Sequence, residues 1–286
     1  MRAAASELHC PNERILEFSM KTVELLQHGL HMAYDDLGNG FPVVLLHAFP
    51  FDREMWVPQH GPLTVQGIRI LAPDLPGFGQ SSEGNAPFSI EHVADVIAAF
   101  MTALNIDRAA IGGLSMGGYI AMAFARKYPS MVAALILADT RPAPDDEATR
   151  SGRDKSIEAV KRDGAASFAR SMLPKVLSEH TRNTMPRLVE FAEMIAIRQK
   201  ESTIIAALVA LRDRPDAVPG LAEITVPTLV IVGEFDVVTP PLTAARLAAY
   251  VNGSELIHIP EAGHLSNIEN PDVFSGEVLK FMKKVM

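Results

Sequence analysis

The chain has a single cysteine, Cys10, in 286 residues. No disulfide can therefore form within it, and a zinc site built on cysteines is excluded. Basic excess is missing as well: 26 Lys and Arg stand against 34 Asp and Glu, a net charge of −8. A surface of that sign disfavours nucleic acid and anionic lipid, so neither is an expected partner. No apolar run approaches a membrane span. Met1 to Cys10 lack the long apolar region of a secretory signal, which makes the cytoplasm the expected location. His28 and His31 flank a turn with no third ligand in view, so no metal is expected.

What is there is an ordinary globular composition, 48% apolar with mixed charge. The length suits one core with an insertion. Residues 1–20 show no clear period and are expected to be a mobile N-terminal extension. Thr22–Gln27 and Leu30–Tyr34 read as a strand pair turning at Gln27-His28-Gly29. Pro42–His47, Ile68–Ala72, Ala109–Gly112, Leu135–Asp139, Thr228–Gly233 and Glu255–Pro260 are short, nearly continuous apolar runs of the kind that form buried strands. Between them, Ile90, Val93, Ala94, Ile97, Phe100, Met101 and Leu104 recur at helical spacing behind Ser89, a suitable N-cap. Strands alternating with helices predict an α/β fold, a doubly wound and mostly parallel sheet.

From Arg141 to about Pro219 strand signals vanish, charges cluster, and helical runs appear at Arg187–Ala196 and Glu201–Leu211. This segment is expected to be a helical cap over residues 141–219, inserted between a first part of the core at 21–140 and a second part at 220–286. Phe168, Met172, Leu173, Phe191, Met194 and Ile195 are candidates for a pocket ceiling, though most are expected simply to pack the cap helices together.

The chemistry centres on Gly113-Leu114-Ser115-Met116-Gly117, between a strand-like run and a helix-like run. That junction forces Ser115 into a sharp turn that lifts its hydroxyl clear of the sheet. The flanking glycines are required because a Cβ there would meet the neighbouring backbone. A nucleophilic serine needs a base, and the base an orienting acid. Asp236 follows the strand ending at Gly233, and His264 follows the strand ending at Pro260. Carboxyl ends of parallel strands converge on one crevice, so Ser115, Asp236 and His264 can meet there.

With Leu46-His47-Ala48-Phe49-Pro50 and Asp74-Leu75-Pro76-Gly77-Phe78-Gly79-Gln80-Ser81 ahead of these three, the motifs stand in the order of the α/β-hydrolase superfamily. The chain resembles that superfamily from about Thr22 to its C-terminus, the middle segment apart. Within it, the chain is most similar to the small, capped, cofactor-free group of 3-oxoadipate enol-lactonases, short-chain carboxylesterases and serine perhydrolases. The resemblance implies a serine hydrolase for small to medium carboxylic esters or enol-lactones, with no cofactor. Thioester cleavage and peracid formation use the same machinery and stay open, as does carbon–carbon bond hydrolysis. A serine at the nucleophile position argues against dehalogenase and epoxide hydrolase chemistry, which in this fold use an aspartate there.

The oxyanion would be held by the N–H of Met116, next after the nucleophile, and by that of Phe49. Relatives more often carry glycine where Ala48 stands, and the loop is not of the triple-glycine type, so bulky tertiary-alcohol esters are not expected substrates. Asp139 also ends a strand and is the rival acid. His258 alternates within an apolar run and is expected to be packed; His47 is expected to buttress the oxyanion loop, Asp74 to tie down its own turn, and Trp56 to lie in the core. A second function class remains: the fold also hosts ligand receptors and inactive relatives, so fold alone does not establish catalysis. A dinucleotide enzyme is not expected, because no Gly-x-Gly-x-x-Gly follows the first parallel strand.

Overall fold

In the computed structural model, which describes residues 20–286, eight strands form one sheet. They are β1 Met20–Leu25, β2 Leu30–Leu37, β3 Phe41–Leu46, β4 Ile68–Pro73, β5 Ala109–Leu114, β6 Val132–Ala138, β7 Thr228–Gly233 and β8 Glu255–Ile259. Their order is β1-β2-β4-β3-β5-β6-β7-β8. β1 pairs antiparallel with β2, β2 antiparallel with β4, and all later neighbours are parallel.

The period of two that marks a strand divides its side chains between two cores. Val44 and Leu46 of β3, Ile111 of β5, Leu135 and Leu137 of β6, and Val230 and Val232 of β7 belong to one core. Val43 and Leu45, Ala110, Ile136, and Leu229 and Ile231 belong to the other. Burial of each large member contributes about 1.5–3 kcal/mol. Because both faces are covered, these strands are apolar at every position, which is why they read as unbroken runs.

Twelve α-helices lie among the described residues. The first three are α1 Val57–Thr64, α2 Ile90–Ala103 and α3 Met116–Lys127. Then come α4 Glu147–Asp163, α5 Ala165–Val176, α6 Glu179–Thr184, α7 Pro186–Ile197, α8 Glu201–Asp213 and α9 Val218–Leu221. The last are α10 Pro241–Tyr250, α11 Ser266–Glu269 and α12 Pro271–Met282. α2, α3 and α10 pack into the first core, α1 and α12 into the second. Ser89 caps α2 by accepting the His92 N–H at 3.2 Å, a contact of about 1 kcal/mol.

Helices α4 to α9 fall between β6 and β7, and the helical runs read from sequence lie inside α7 and α8. Helix α4 escaped the period because Ile157 and Val160 are its buried side chains in 17 residues. The extension expected over residues 1–20 lies outside the described residues, Cys10 included, except Met20, which begins β1. His258 is exposed rather than packed: β8 is an edge strand covered on fewer sides than the central ones. Trp56 is in the core at 1% exposure, its ring centroid 6.2 Å from that of Phe274. Among the described residues no helix is long and apolar enough to cross a membrane.

Candidate active site

The central strands hand their ends to one another. Ser115 N donates to Ala138 O, Asp139 N to Ile231 O and Glu234 N to Ile259 O, each at 2.9 Å. The residues just beyond β5, β6 and β7 therefore gather at one edge of the sheet. Ser115 takes φ 54° and ψ −110°, a conformation that costs an L-residue roughly 1–3 kcal/mol. Glycines make the turn possible: a Cβ on Gly113 would lie 2.1 Å from Gly117 O, and one on Gly117 would lie 2.1 Å from Leu46 O. Both positions are set by close backbone approach, as the sequence implied.

Ser115, Asp236 and His264 come together. Ser115 Oγ is 2.9 Å from His264 Nε2, and His264 Nδ1 is 2.8 Å from Asp236 Oδ2. An ionised Asp236 can only accept, so His264 carries its proton on Nδ1 and leaves Nε2 to accept from the serine hydroxyl. Asp236 Oδ1 also accepts the N–H groups of Val238 (2.7 Å) and Thr239 (2.9 Å), and Oδ2 the Thr239 hydroxyl (2.6 Å). Burial works against a charged Asp236, but the His264 charge and these hydrogen bonds outweigh it and hold the carboxyl below its ordinary pKa. For His264 burial favours the neutral ring; the Asp236 charge and hydrogen bond overcome it and raise the pKa above 6.5.

Thr239 was not singled out from sequence. Its signal was local, a threonine three residues after the acid, where its N–H and hydroxyl both reach the carboxylate. Glu269 was missed too. Its Oε1 accepts from Gly263 N and Leu265 N on either side of His264. Its Oε2 accepts from Ser178 N and Thr181 Oγ1, ahead of and within α6. The histidine loop is thereby tied to the helical layer, and His264 N donates to Val176 O of that layer at 2.9 Å.

The rival residues have other work. Asp139 is fully buried and accepts from Gly233 N at 2.8 Å and from the Ser266 hydroxyl. Burial first, and the nearby Asp236 charge second, raise its pKa well above the carboxylate range. His47 braces two loops: Nδ1–H donates to Ala48 O at 2.9 Å, and Nε2 accepts from Leu75 N at 3.0 Å. Burial lowers its pKa to about 4. Asp74 secures its turn by accepting from Gln80 N at 2.8 Å, and it also receives Arg53 N at 2.9 Å.

Phe49 follows the braced His47-Ala48 pair, and its peptide to Pro50 is cis. Ala48 lies outside the positive-φ region, so alanine replaces glycine without backbone strain. Among the described residues neither Phe49 N nor Met116 N has a hydrogen-bond acceptor.

Ser115, His264 and Phe49 border a cavity of about 380 Å³ under α4, α5 and α8. Of the proposed ceiling residues, Phe168 and Met172 line it, and Phe168 meets Phe49 with ring centroids 6.2 Å apart. Leu173 and Ile195 are buried in the second core, Phe191 packs against it, and Met194 is half-exposed.

A family model described as alpha/beta hydrolase fold matches residues 42–271. A thermophilic esterase from Thermogutta terrifontis, with malate bound, superposes with a TM-score of 0.86 at 36% identity, covering 90% of this chain and 94% of that one. An enol-lactonase from Burkholderia xenovorans superposes with a TM-score of 0.83 at 26% identity, covering 89% and 97%. A putative non-heme chloroperoxidase from Synechocystis is 28% identical over 262 residues, 87% of this chain and 94% of its own length. Its likeness to these enzymes supports a general hydrolytic, esterolytic function, and the chain belongs to the alpha/beta hydrolase fold family.

Proposed function

We propose that the chain hydrolyses small to medium carboxylic esters, lactones included, through an acyl-enzyme on Ser115. The observation that carries this reading is the hydrogen-bonded line from Ser115 Oγ through the His264 ring to Asp236 Oδ2, at 2.9 and 2.8 Å. A neutral hydroxyl is a weak nucleophile. His264 Nε2 takes its proton as Oγ bonds to the acyl carbon, and Asp236 stabilises the imidazolium that forms. The carbonyl electrons move onto oxygen, where the free N–H groups of Phe49 and Met116 are the donors. His264 then gives the proton to the departing alkoxide, leaving an ester on Ser115. Water repeats the sequence and releases the acid.

The 380 Å³ cavity favours short acyl chains, and the helical layer roofs it. Similarity to an esterase and to an enol-lactonase supports the ester and lactone range. Hydrolysis of p-nitrophenyl esters from acetate to decanoate, by wild type and Ser115→Ala together, is the test. Turnover by wild type with an optimum at short chains, abolished in the variant, is expected. A folded wild type that turns over none of them overturns the reading.

A further inference from the structure

The cavity over Ser115 is positively charged in a chain whose net charge is −8. Arg141, Arg153, Lys155 and Lys175 line it, and no aspartate or glutamate does. Arg141 stands three residues past β6, Arg153 and Lys155 are on α4, and Lys175 is on α5. Three separate segments thus aim cations at one space.

Ion pairing does not cancel this charge. Asp145, its side chain fully buried, accepts from Arg141 at 2.6 Å, Arg153 at 3.1 Å and Arg214 at 2.6 Å. One buried carboxylate is thus shared by three guanidiniums, two of which line the cavity, and the further acid beside Arg141, Asp146, is exposed and outside the lining. Lys155 and Lys175 have no ion-pair partner among the described residues. Arg141 is held by Asp145 at Nη2, while its Nε–H is buried with no acceptor. A buried donor without a partner destabilises a fold, and native structures keep few of them. The Arg141 Nε is closed off, as is Nε of Arg214; what the cavity meets is the exposed part of the side chains, 25% for Arg141 and 22% for Arg153. The remaining wall includes Phe168, Met172, Leu208 and Leu211, so the space offers an apolar stretch together with cations.

We propose that the substrate of the Ser115 site is an ester or lactone that also carries a carboxylate, bound by Arg141 with Arg153 beside it. This rests on the esterase reading above. Lys155 and Lys175, both exposed, draw the anion inward, an attraction that salt screens.

Two matched pairs test it. Monoethyl succinate and ethyl levulinate differ by a carboxylate or a methyl ketone at the far end of the acyl chain. O-butyrylglycolate and its amide place the same contrast on the leaving alcohol. At low salt, the charged member of at least one pair should exceed its neutral partner in kcat/KM by about tenfold or more, as a charge-assisted hydrogen bond allows. Arg141→Gln should remove most of that preference. The double change Lys155→Gln with Lys175→Gln should weaken it severalfold and flatten its salt dependence. Equal or faster turnover of the neutral member in both pairs overturns the proposal and leaves the hydrolase reading standing; should Arg141→Gln fail to fold, this wild-type comparison decides alone. If no ester is turned over, the hydrolase reading falls. Calorimetry of succinate against succinamide on the wild type then decides: selective succinate binding supports the anion site, and its absence overturns it.

Discussion

Asp139 and Asp236 follow neighbouring strands, β6 and β7, and Asp139 feels the charge of Asp236, yet His264 hydrogen-bonds Asp236. Asp139 instead accepts from Gly233 N and Ser266, joining the β7 end to the segment after His264. Asp236→Asn should therefore lower kcat by about 10³–10⁴-fold, because the amide favours the wrong imidazole tautomer. Asp139→Asn should act mainly on stability, about 1–3 kcal/mol, by leaving a buried donor poorly matched. Steady-state kinetics and thermal melts of both variants check this. A crippled Asp139→Asn beside an active Asp236→Asn would reassign the acid.

Ser115 allows rate and strain to be separated. Ser115→Ala and Ser115→Gly should each lose about 10⁴-fold or more in kcat. At φ 54°, glycine relieves what alanine keeps, so Ser115→Gly should be the more stable by about 1 kcal/mol. Denaturant unfolding of the two variants reads the difference, and equal midpoints would remove strain from the account of the turn.

His264 must be neutral at Nε2 to accept the serine proton. Its raised pKa places the acid-side half-loss of kcat/KM above pH 6.5. Losing the carboxylate in Asp236→Asn should move that limb to lower pH. The stability linkage has two signs. The His264 contribution is complete below its unfolded pKa and fades as pH rises through the folded value. The Asp236 contribution is present above its unfolded value and is lost as pH falls through the depressed folded one. A wild-type acid limb below 6.5 would contradict the raised imidazole.

Thr239→Val removes the hydroxyl that donates to Asp236 Oδ2 and keeps the shape. One charge-assisted hydrogen bond is worth about 1.5–3 kcal/mol when lost outright; partial compensation by Val238 N and Thr239 N should leave a three- to thirtyfold drop in kcat. An unaltered pH–rate profile with unaltered kcat would show that Thr239 does not position the acid.

Glu269→Gln leaves two of its four N–H and O–H donors facing an amide nitrogen. A loss of about 3 kcal/mol is expected, together with a fall in kcat, because Gly263 and Leu265 bracket His264. Melting temperature and kcat, measured on the same preparation, should fall together.

The strands were legible because the sheet is covered on both faces, so Val43 to Leu46 or Leu135 to Ala138 read as apolar whatever their neighbours. Ser115, Asp236 and His264 were legible because each follows such a run. Helix α4 was not, since a helix lying over a core edge needs few apolar residues, and Ile157 with Val160 gives no period. His258 misled because an alternating pattern does not tell an edge strand from a central one. Arg141, Arg153, Lys155 and Lys175 looked like scattered surface charge; their meeting is a property of the packing of α4 and α5 against the end of β6.

Strands β6 and β7 are direct parallel neighbours, Leu135 opposite Thr228, although about ninety residues separate them. The whole helical layer is thus a single enlarged connection between two adjacent strands. Its length and lining can change while the ladder beneath keeps its register. Floor and roof are nonetheless knotted at one place, where Glu269 and Val176 O hold the His264 loop against Ser178 and Thr181, so a rebuilt roof would have to keep that knot.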